Sequence, residues 1–194
     1  MVNIMGKLVY GVGVNDADYT VKPSPNSGRA RCPFHRAWEN MLSRCYNKGF
    51  LIKKQTYIGC TVCEEWLTFS NFKRWMEQQD WQGKHLDKDI LFAGNKVYSP
   101  ETCVFVSPSV NKFLPDRAAS RGAFPIGVDF DSRINKFRAR CGNPITTNDE
   151  YLGYFNCPED AHKAWKKRKH ELACQLADLQ TDERVAEALR ARYA

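Results

Sequence analysis

Residues 85–113 read HLDKDILFAGNKVYSPETCVFVSPSVNKF, and the chain is best understood outward from them. From Leu86 to Leu91 charged and apolar residues alternate at period two, the pattern of a short, half-buried strand. Gly94-Asn95 is a turn dipeptide that tolerates positive φ. Cys103-Val104-Phe105-Val106 predicts a second, buried strand. Ser107 then has the chemistry of an N-cap and Pro108 that of a first helical residue, so Ser109 to Leu114 should form a short helix. His85, Asp87 and Asp89 would share one face of a regular strand.

Strand, loop, strand and helix, with Asp87 on the first strand and Asn111 on the helix, resembles the ββα-metal unit of the HNH nuclease family. Ser99-Pro100-Glu101-Thr102-Cys103 and Ser107-Pro108-Ser109-Val110-Asn111 fall on that family's spacing without a gap. The resemblance implies that Asp87 and Asn111 are metal ligands, an oxygen pair suited to a hard divalent cation such as Mg²⁺. It also implies phosphodiester hydrolysis, in which the cation stabilises charge on the phosphate and leaving oxygen while a base activates water. Two positions depart from the family. Lys88 stands at the general-base histidine and Thr102 at the middle asparagine. Lys88 is accordingly expected to meet phosphate or transition-state charge, with Asp89 or His85 as the base.

Length and composition set the bounds. The 194 residues suffice for one large or two small domains, and an apolar fraction of 43% supports packed cores. The net charge of +7 favours a polyanionic partner. Basic residues exceed acidic ones both in 1–120 and in 121–175, so the excess is not confined to a tail. With no apolar run long enough for a bilayer and no leader-like start, the expectation is a soluble cytoplasmic protein with reduced cysteines.

Upstream, residues 1–30 read as an extended arm, with Lys7, Lys22, Arg29 and Arg31 available to phosphates. Residues 34–47 predict a helix whose Trp38, Met41, Leu42 and Cys45 form an apolar stripe at i, i+3, i+4 and i+7. Trp66, Phe69, Phe72, Trp75 and Met76 mark a second helix beginning near Thr68 or Ser70. Cys60-x-x-Cys63 has the spacing of half a zinc site, and Cys32-x-x-His35 could supply the other half. The alternative for these cysteines is burial as small apolar residues.

Downstream, residues 125–130, 136–141 and 150–155 predict three short antiparallel strands, followed by a long helix with Pro158 at its first position and Glu159-Asp160 in its first turn. Gly127-Val128, Lys136-Phe137, Leu152-Gly153-x-Phe155 and the alanine-rich helix resemble the Apetala-two or ethylene-response-factor DNA-binding domain. That family lays the outer face of its sheet in the major groove. Alternation alone turns Phe137, Ala139 and Cys141 toward the helix and Lys136, Arg138 and Arg140 outward. Tyr151 falls where the family commonly has a DNA-contacting tryptophan, and Arg133 joins the candidate DNA contacts from the turn. Asp129 stands where the family often has an arginine. Lys166 to His170 reads as a wet helix face. A last helical segment from Asp178 to Ala194 restarts near Thr181-Asp182 and is a candidate homodimer contact.

The expected architecture is α+β: an arm (1–30), an HNH-like ββα-metal domain (31–120), a three-stranded antiparallel sheet with one packed helix (121–177), and a helical tail (178–194). The combination resembles phage-encoded HNH proteins of the homing-endonuclease kind. It implies a Mg²⁺-dependent DNA endonuclease or nickase that selects its double-stranded DNA site with the sheet, and localisation in the host cytoplasm if phage-encoded. The alternative is a non-catalytic DNA-binding regulator on the same scaffold.

Overall fold

The computed structural model describes residues 8–114 and 123–194; Lys7 of the expected arm lies outside them. The chain divides into two compact units, Met1–Val106 and Ser107–Ala194, and is of mixed α+β type.

In the first unit, α1 (Pro33–Tyr46) and the short α2 (Lys48–Lys53) are followed by β1 (Thr61–Val62), α3 (Phe69–Glu77), β2 (His85–Asp87), β3 (Val97–Tyr98) and β4 (Val104–Val106). β1 pairs with β3 in parallel, and β2 with β4 antiparallel, His85 facing Val106 and Asp87 facing Val104. These strands are two or three residues long, so the ladders cannot hold the unit. Its core is aromatic instead: Trp38, Trp66, Phe69 and Phe72 are each almost fully buried, with Met41 and Leu42. Each such side chain contributes about 1.5–3 kcal/mol on burial. The Trp38 indole N–H is satisfied by the Trp66 carbonyl at 2.7 Å.

Residues 8–30 were expected as a surface arm; 24–30 are exposed, but Val9, Val12, Ala17 and Val21 join this packing. Val14 exchanges backbone hydrogen bonds with Leu67 and Phe69 at 2.8 and 3.0 Å, and the Asp16 carboxylate accepts from the Ser70 N–H in the first turn of α3. Gly13 explains why the chain can run so close to the core. A Cβ there would stand 2.4 Å from the Leu42 side chain and 2.9 Å from Trp38. Lys22 and Arg31, assigned to phosphates in the sequence reading, both pair with Glu39.

The second unit begins with α4 (Pro108–Phe113), where the Ser107 hydroxyl accepts from the Val110 N–H as expected of an N-cap. A meander of β5 (Val128–Asp131), β6 (Lys136–Gly142) and β7 (Asp149–Phe155) forms a three-stranded antiparallel sheet. Ala139 and Cys141 are buried on its inner side, toward α5 (Pro158–Asp178). Gly127 adopts φ +81°, and a Cβ there would lie 2.0 Å from the Trp165 ring, so only glycine lets the indole of α5 seat against this turn.

Two boundaries differ from expectation. The division falls after Val106 and not after residue 120, because α4 is fastened to the C-terminal helices. The Phe113 ring packs on Tyr193 at 5.8 Å, and the Lys169 ammonium donates to the Phe113 carbonyl at 2.8 Å. The tail is likewise part of the unit. Asp182 caps α6 (Glu183–Arg192), whose Val185, Ala186 and Leu189 are buried in contact with α5.

The basic run of α5 is not a uniformly wet face. Arg168 is clamped by Glu150 and Glu171. Lys169 lies 3.4 Å from the Phe113 ring centroid, with Trp165 and Tyr193 also around it. Burial pushes its ammonium down to about 8, while the three rings favour the charged form.

Candidate nucleic-acid interface

β6 carries the residues that alternation turns outward, and β5 and β7 supply what faces them. Asp129 sits directly opposite Arg138 in the register, and Tyr154 is opposite Arg138 on the other side. The Asp129 carboxylate accepts from Arg138 Nε and Nη2 at 3.1 and 2.6 Å and pairs with Arg140 at 3.3 Å. These bonds hold Asp129 below the usual carboxylate range, the Arg138 hydrogen bond first, then the charge of Arg140, with burial opposing. One carboxylate thus orients two guanidinium groups.

A second such pairing lies at the strand end. The buried Asp131 carboxylate accepts from Arg133 at 2.7 and 3.0 Å and from the Tyr154 hydroxyl at 3.0 Å. Arg133 hydrogen bonding, then burial in opposition and the tyrosine, leave Asp131 well below its ordinary value.

Tyr151 and Tyr154 are three residues apart, which in a regular strand would place them on opposite faces. A register shift at Ala139/Arg140 changes that. Arg138 faces Tyr154, but Arg140 faces Tyr151, so β7 carries an extra residue between the two pairs. Both tyrosines are therefore exposed together, their rings 5.5 Å apart edge to face. Tyr154 is a member of this surface that alternation alone misses. The outer face so assembled has Arg133, Lys136, Arg138 and Arg140 against Asp129 and Asp131, flanked by two phenols.

The Asp87 region of the first unit is organised differently from the expectation. β2 ends at Asp87, and the chain turns at once. Asp87 Oδ1 accepts from the N–H groups of Asp89 and Ile90 at 2.9 and 2.8 Å, the geometry of an Asx turn. Asp89 is therefore not on the strand face shared by His85 and Asp87. Burial, and then the neighbouring Asp89, raise the Asp87 carboxyl, with the two N–H groups opposing.

Lys88 is 7% exposed and points inward. Its ammonium donates to the Asn95 carbonyl at 2.8 Å and to Asp89 at 3.2 Å, and the Asn95 amide returns a bond to the Lys88 carbonyl. In this arrangement the side chain braces the 88–97 loop. Thr102, another candidate catalytic residue, donates to the Val97 carbonyl at 2.7 Å and serves the same loop. His85 lies at the exposed start of β2. Asp87 belongs to the first unit and Asn111 to the second.

Among the described residues no group of three or more His, Cys, Asp and Glu side chains is gathered as a metal cage. The candidate zinc set is accordingly dispersed. Cys32 Sγ meets the Tyr19 hydroxyl at 3.3 Å, and His35 is buried between the Trp38 and Phe69 rings, its imidazole pushed down to about 4 by burial and then by Lys22 and Arg31. Cys60 is a buried core residue and Cys63 is partly buried. Cys45 and Cys103 are also buried, and desolvation pushes each thiol up to about 12.

No family model, curated protein or solved structure matches this chain.

A further feature of the first unit went unnoticed in the sequence. A cleft of about 420 Å³ is lined by Arg36, Asn40 and Arg44 from α1, by Lys84 and His85 at the start of β2, and by an apolar floor that includes Trp81 and Phe105. The signal was present, because 36, 40 and 44 recur at i, i+4 and i+8 along one helix face. Among the described residues no helix is long and apolar enough to cross a membrane.

Proposed function

We propose that the protein binds double-stranded DNA through the outer face of the β5–β6–β7 sheet. The observation that carries this reading is the Asp129 clamp, which holds Arg138 and Arg140 on the outward face beside exposed Tyr151. Arg138 Nε and Nη2, now donated to Asp129, are the parallel pair that meets guanine O6 and N7 in the major groove once the carboxylate is exchanged, and a phosphate contact can use the same fork. Lys136 and Arg133 add phosphate-directed charge at the rim. The tyrosines offer apolar edges with a polar tip.

In this reading Asp129 tunes recognition. An arginine that must leave a carboxylate to meet DNA gains little from phosphate alone and more from a bidentate base contact. Direct tests are Arg138→Ala and Arg140→Ala in duplex-binding titrations. A base contact costs about 1–3 kcal/mol on removal and relaxes sequence preference, whereas a phosphate contact mainly lowers the salt slope.

A second reading, a Mg²⁺-dependent HNH-type endonuclease or nickase, is favoured by the chain order of β2 with Asp87, β4, and an N-capped α4 with Asn111. With Lys88 and Thr102 engaged in the loop, Asp89 or His85 is left to activate water. Supercoiled plasmid incubated with Mg²⁺ or Mn²⁺ separates the two. Nicking that disappears in both Asp87→Ala and Asn111→Ala supports the enzyme. A mobility shift without cutting supports a binding protein.

A further inference from the structure

The cleft of the first unit has a composition unlike the sheet face. Its charged lining residues, Arg36, Arg44 and Lys84, are all basic, His85 lies among them, and no carboxylate lines it. Arg36 and Asn40 are exposed, and neither side chain meets a partner within the described protein. Lys84 is paired at 2.5 Å only with Asp80, which is 70% exposed, a surface pair that an incoming anion can displace. Arg44 is the inner member, partly buried beside the Tyr57 ring, and burial works against its charge while Tyr98 and Tyr57, and then Asp87, sustain it.

Geometry narrows the ligand. Arg36 and Arg44 are eight residues apart on one face of α1, about 12 Å along its axis, with the neutral Asn40 amide between them. The same cleft is lined by the half-buried Trp81 and by Leu86, Phe105 and Met76, the last two almost fully buried. Trp81 is held edge to face by Phe34 at 5.1 Å. A cleft that combines exposed cationic side chains with the Trp81 ring suits a ligand that carries both an anionic group and a flat, apolar one. A simple anion would leave the ring unused, and an acidic peptide would not need it. A volume near 420 Å³ is at the small-ligand end of the usual range.

We propose that this cleft is a second nucleic-acid site, which takes a phosphate-bearing nucleotide of a single strand. Arg36, Lys84 and Arg44 meet the phosphates, the Asn40 amide meets a sugar or base edge, and the base lies against Trp81. The choice of nucleic acid as the ligand class rests on the DNA-binding reading above, but the site is independent of the sheet. Stacking on aromatic side chains is tolerant of sequence, so this site contributes affinity for unpaired strand without base preference.

The test uses the full-length chain and deoxythymidine 3′,5′-bisphosphate, a probe too small to report on a groove-reading sheet, followed by ¹⁵N NMR. Saturable shifts at residues 33–44 and 81–86 are expected, including the His85 side chain. Arg36→Glu, an exposed position without a partner, should weaken binding at least tenfold, and Asn40→Asp should weaken it in the same direction. Arg138→Ala with Arg140→Ala should leave it unchanged. Inorganic phosphate at the same concentration should give smaller shifts that spare Trp81. The proposal is overturned by shifts that do not saturate, by shifts that lie elsewhere, or by affinity that ignores both cleft variants. Equal shifts with inorganic phosphate would reduce the cleft to a simple anion site and overturn the nucleotide assignment. Failure of the sheet reading has a different signature, duplex affinity insensitive to Arg138 and Arg140.

Discussion

The cleft on α1 and the outer face of the sheet both carry two or more arginines, and they differ in how the exposed ones are held. In the cleft Arg44 is occupied by Tyr57 and the Leu86 carbonyl while Arg36 is not. Arg36 in the cleft has no partner in the described protein, whereas Arg138 and Arg140 share Asp129, and Arg133 is bound to Asp131. An unpartnered guanidinium accepts any phosphate that arrives. A clamped one is oriented in advance and must exchange one acceptor for another, so it rewards a partner that matches its fork. The number of basic residues on a surface therefore says less about recognition than what each one already touches. Lys169 marks the far end of that scale, a cation wholly occupied by its own fold.

The largest expected effect removes one side of the comparison. Gly127→Ala forces a Cβ into Trp165 at a positive φ, and should lower the stability of the sheet unit by about 2–4 kcal/mol. Duplex affinity should fall with it in denaturant titrations, while the bisphosphate signal at residues 33–44 persists. Loss of both signals together would mean that the two regions do not act separately.

Lys169→Met should cost about 1–2 kcal/mol, since it removes three cation–π contacts and the bond to the Phe113 carbonyl. Thermal unfolding followed at Tyr193 or Trp165 would read it. A variant with unchanged stability would show that burial of the ammonium had cancelled the ring contacts.

Asp129→Asn makes the sheet face resemble the cleft by freeing both arginines from a charged partner. Affinity for arbitrary duplex should rise about two- to fivefold, consistent with an exposed pair worth under about 1 kcal/mol, and preference among sequences should narrow. A fall in affinity for every duplex would show that orientation of the guanidinium groups outweighs their release.

The smallest effect is a pH dependence. Arg168 hydrogen bonding, and then Asn143, depress Glu150 to about 2, with burial opposing. A carboxylate depressed in the folded state contributes stability that is present above its ordinary value and lost as pH falls through about 2. Urea midpoints should therefore drop between pH 5 and pH 2, and Glu150→Gln should flatten that drop.

Much of the scaffold was legible from residue pattern. The Trp38–Cys45 stripe gives α1, Ser107-Pro108 gives the start of α4, and alternation around Phe137, Ala139 and Cys141 gives the sheet and its inner face. What escaped depended on long-range pairing. Asp129 reads as a misplaced charge until β5 is laid against β6, where it falls opposite Arg138. Tyr154 changes face through a one-residue shift that no local pattern announces. Lys88 was expected to meet phosphate because it stands at the general-base position of the HNH pattern, and only the Asn95 carbonyl shows where its ammonium goes. The cleft was missed because α1 was read for its apolar stripe and not for the polar positions between.

Binding of the full-length chain to a duplex selected from a random library, measured against a scrambled duplex of equal length, is the most direct test of DNA recognition by the sheet. Wild type should prefer the selected duplex, and Arg138→Ala and Arg140→Ala should each shrink that preference by about 1–3 kcal/mol while the chain remains folded. A preference that survives both substitutions unchanged, or no duplex binding at all, would contradict it.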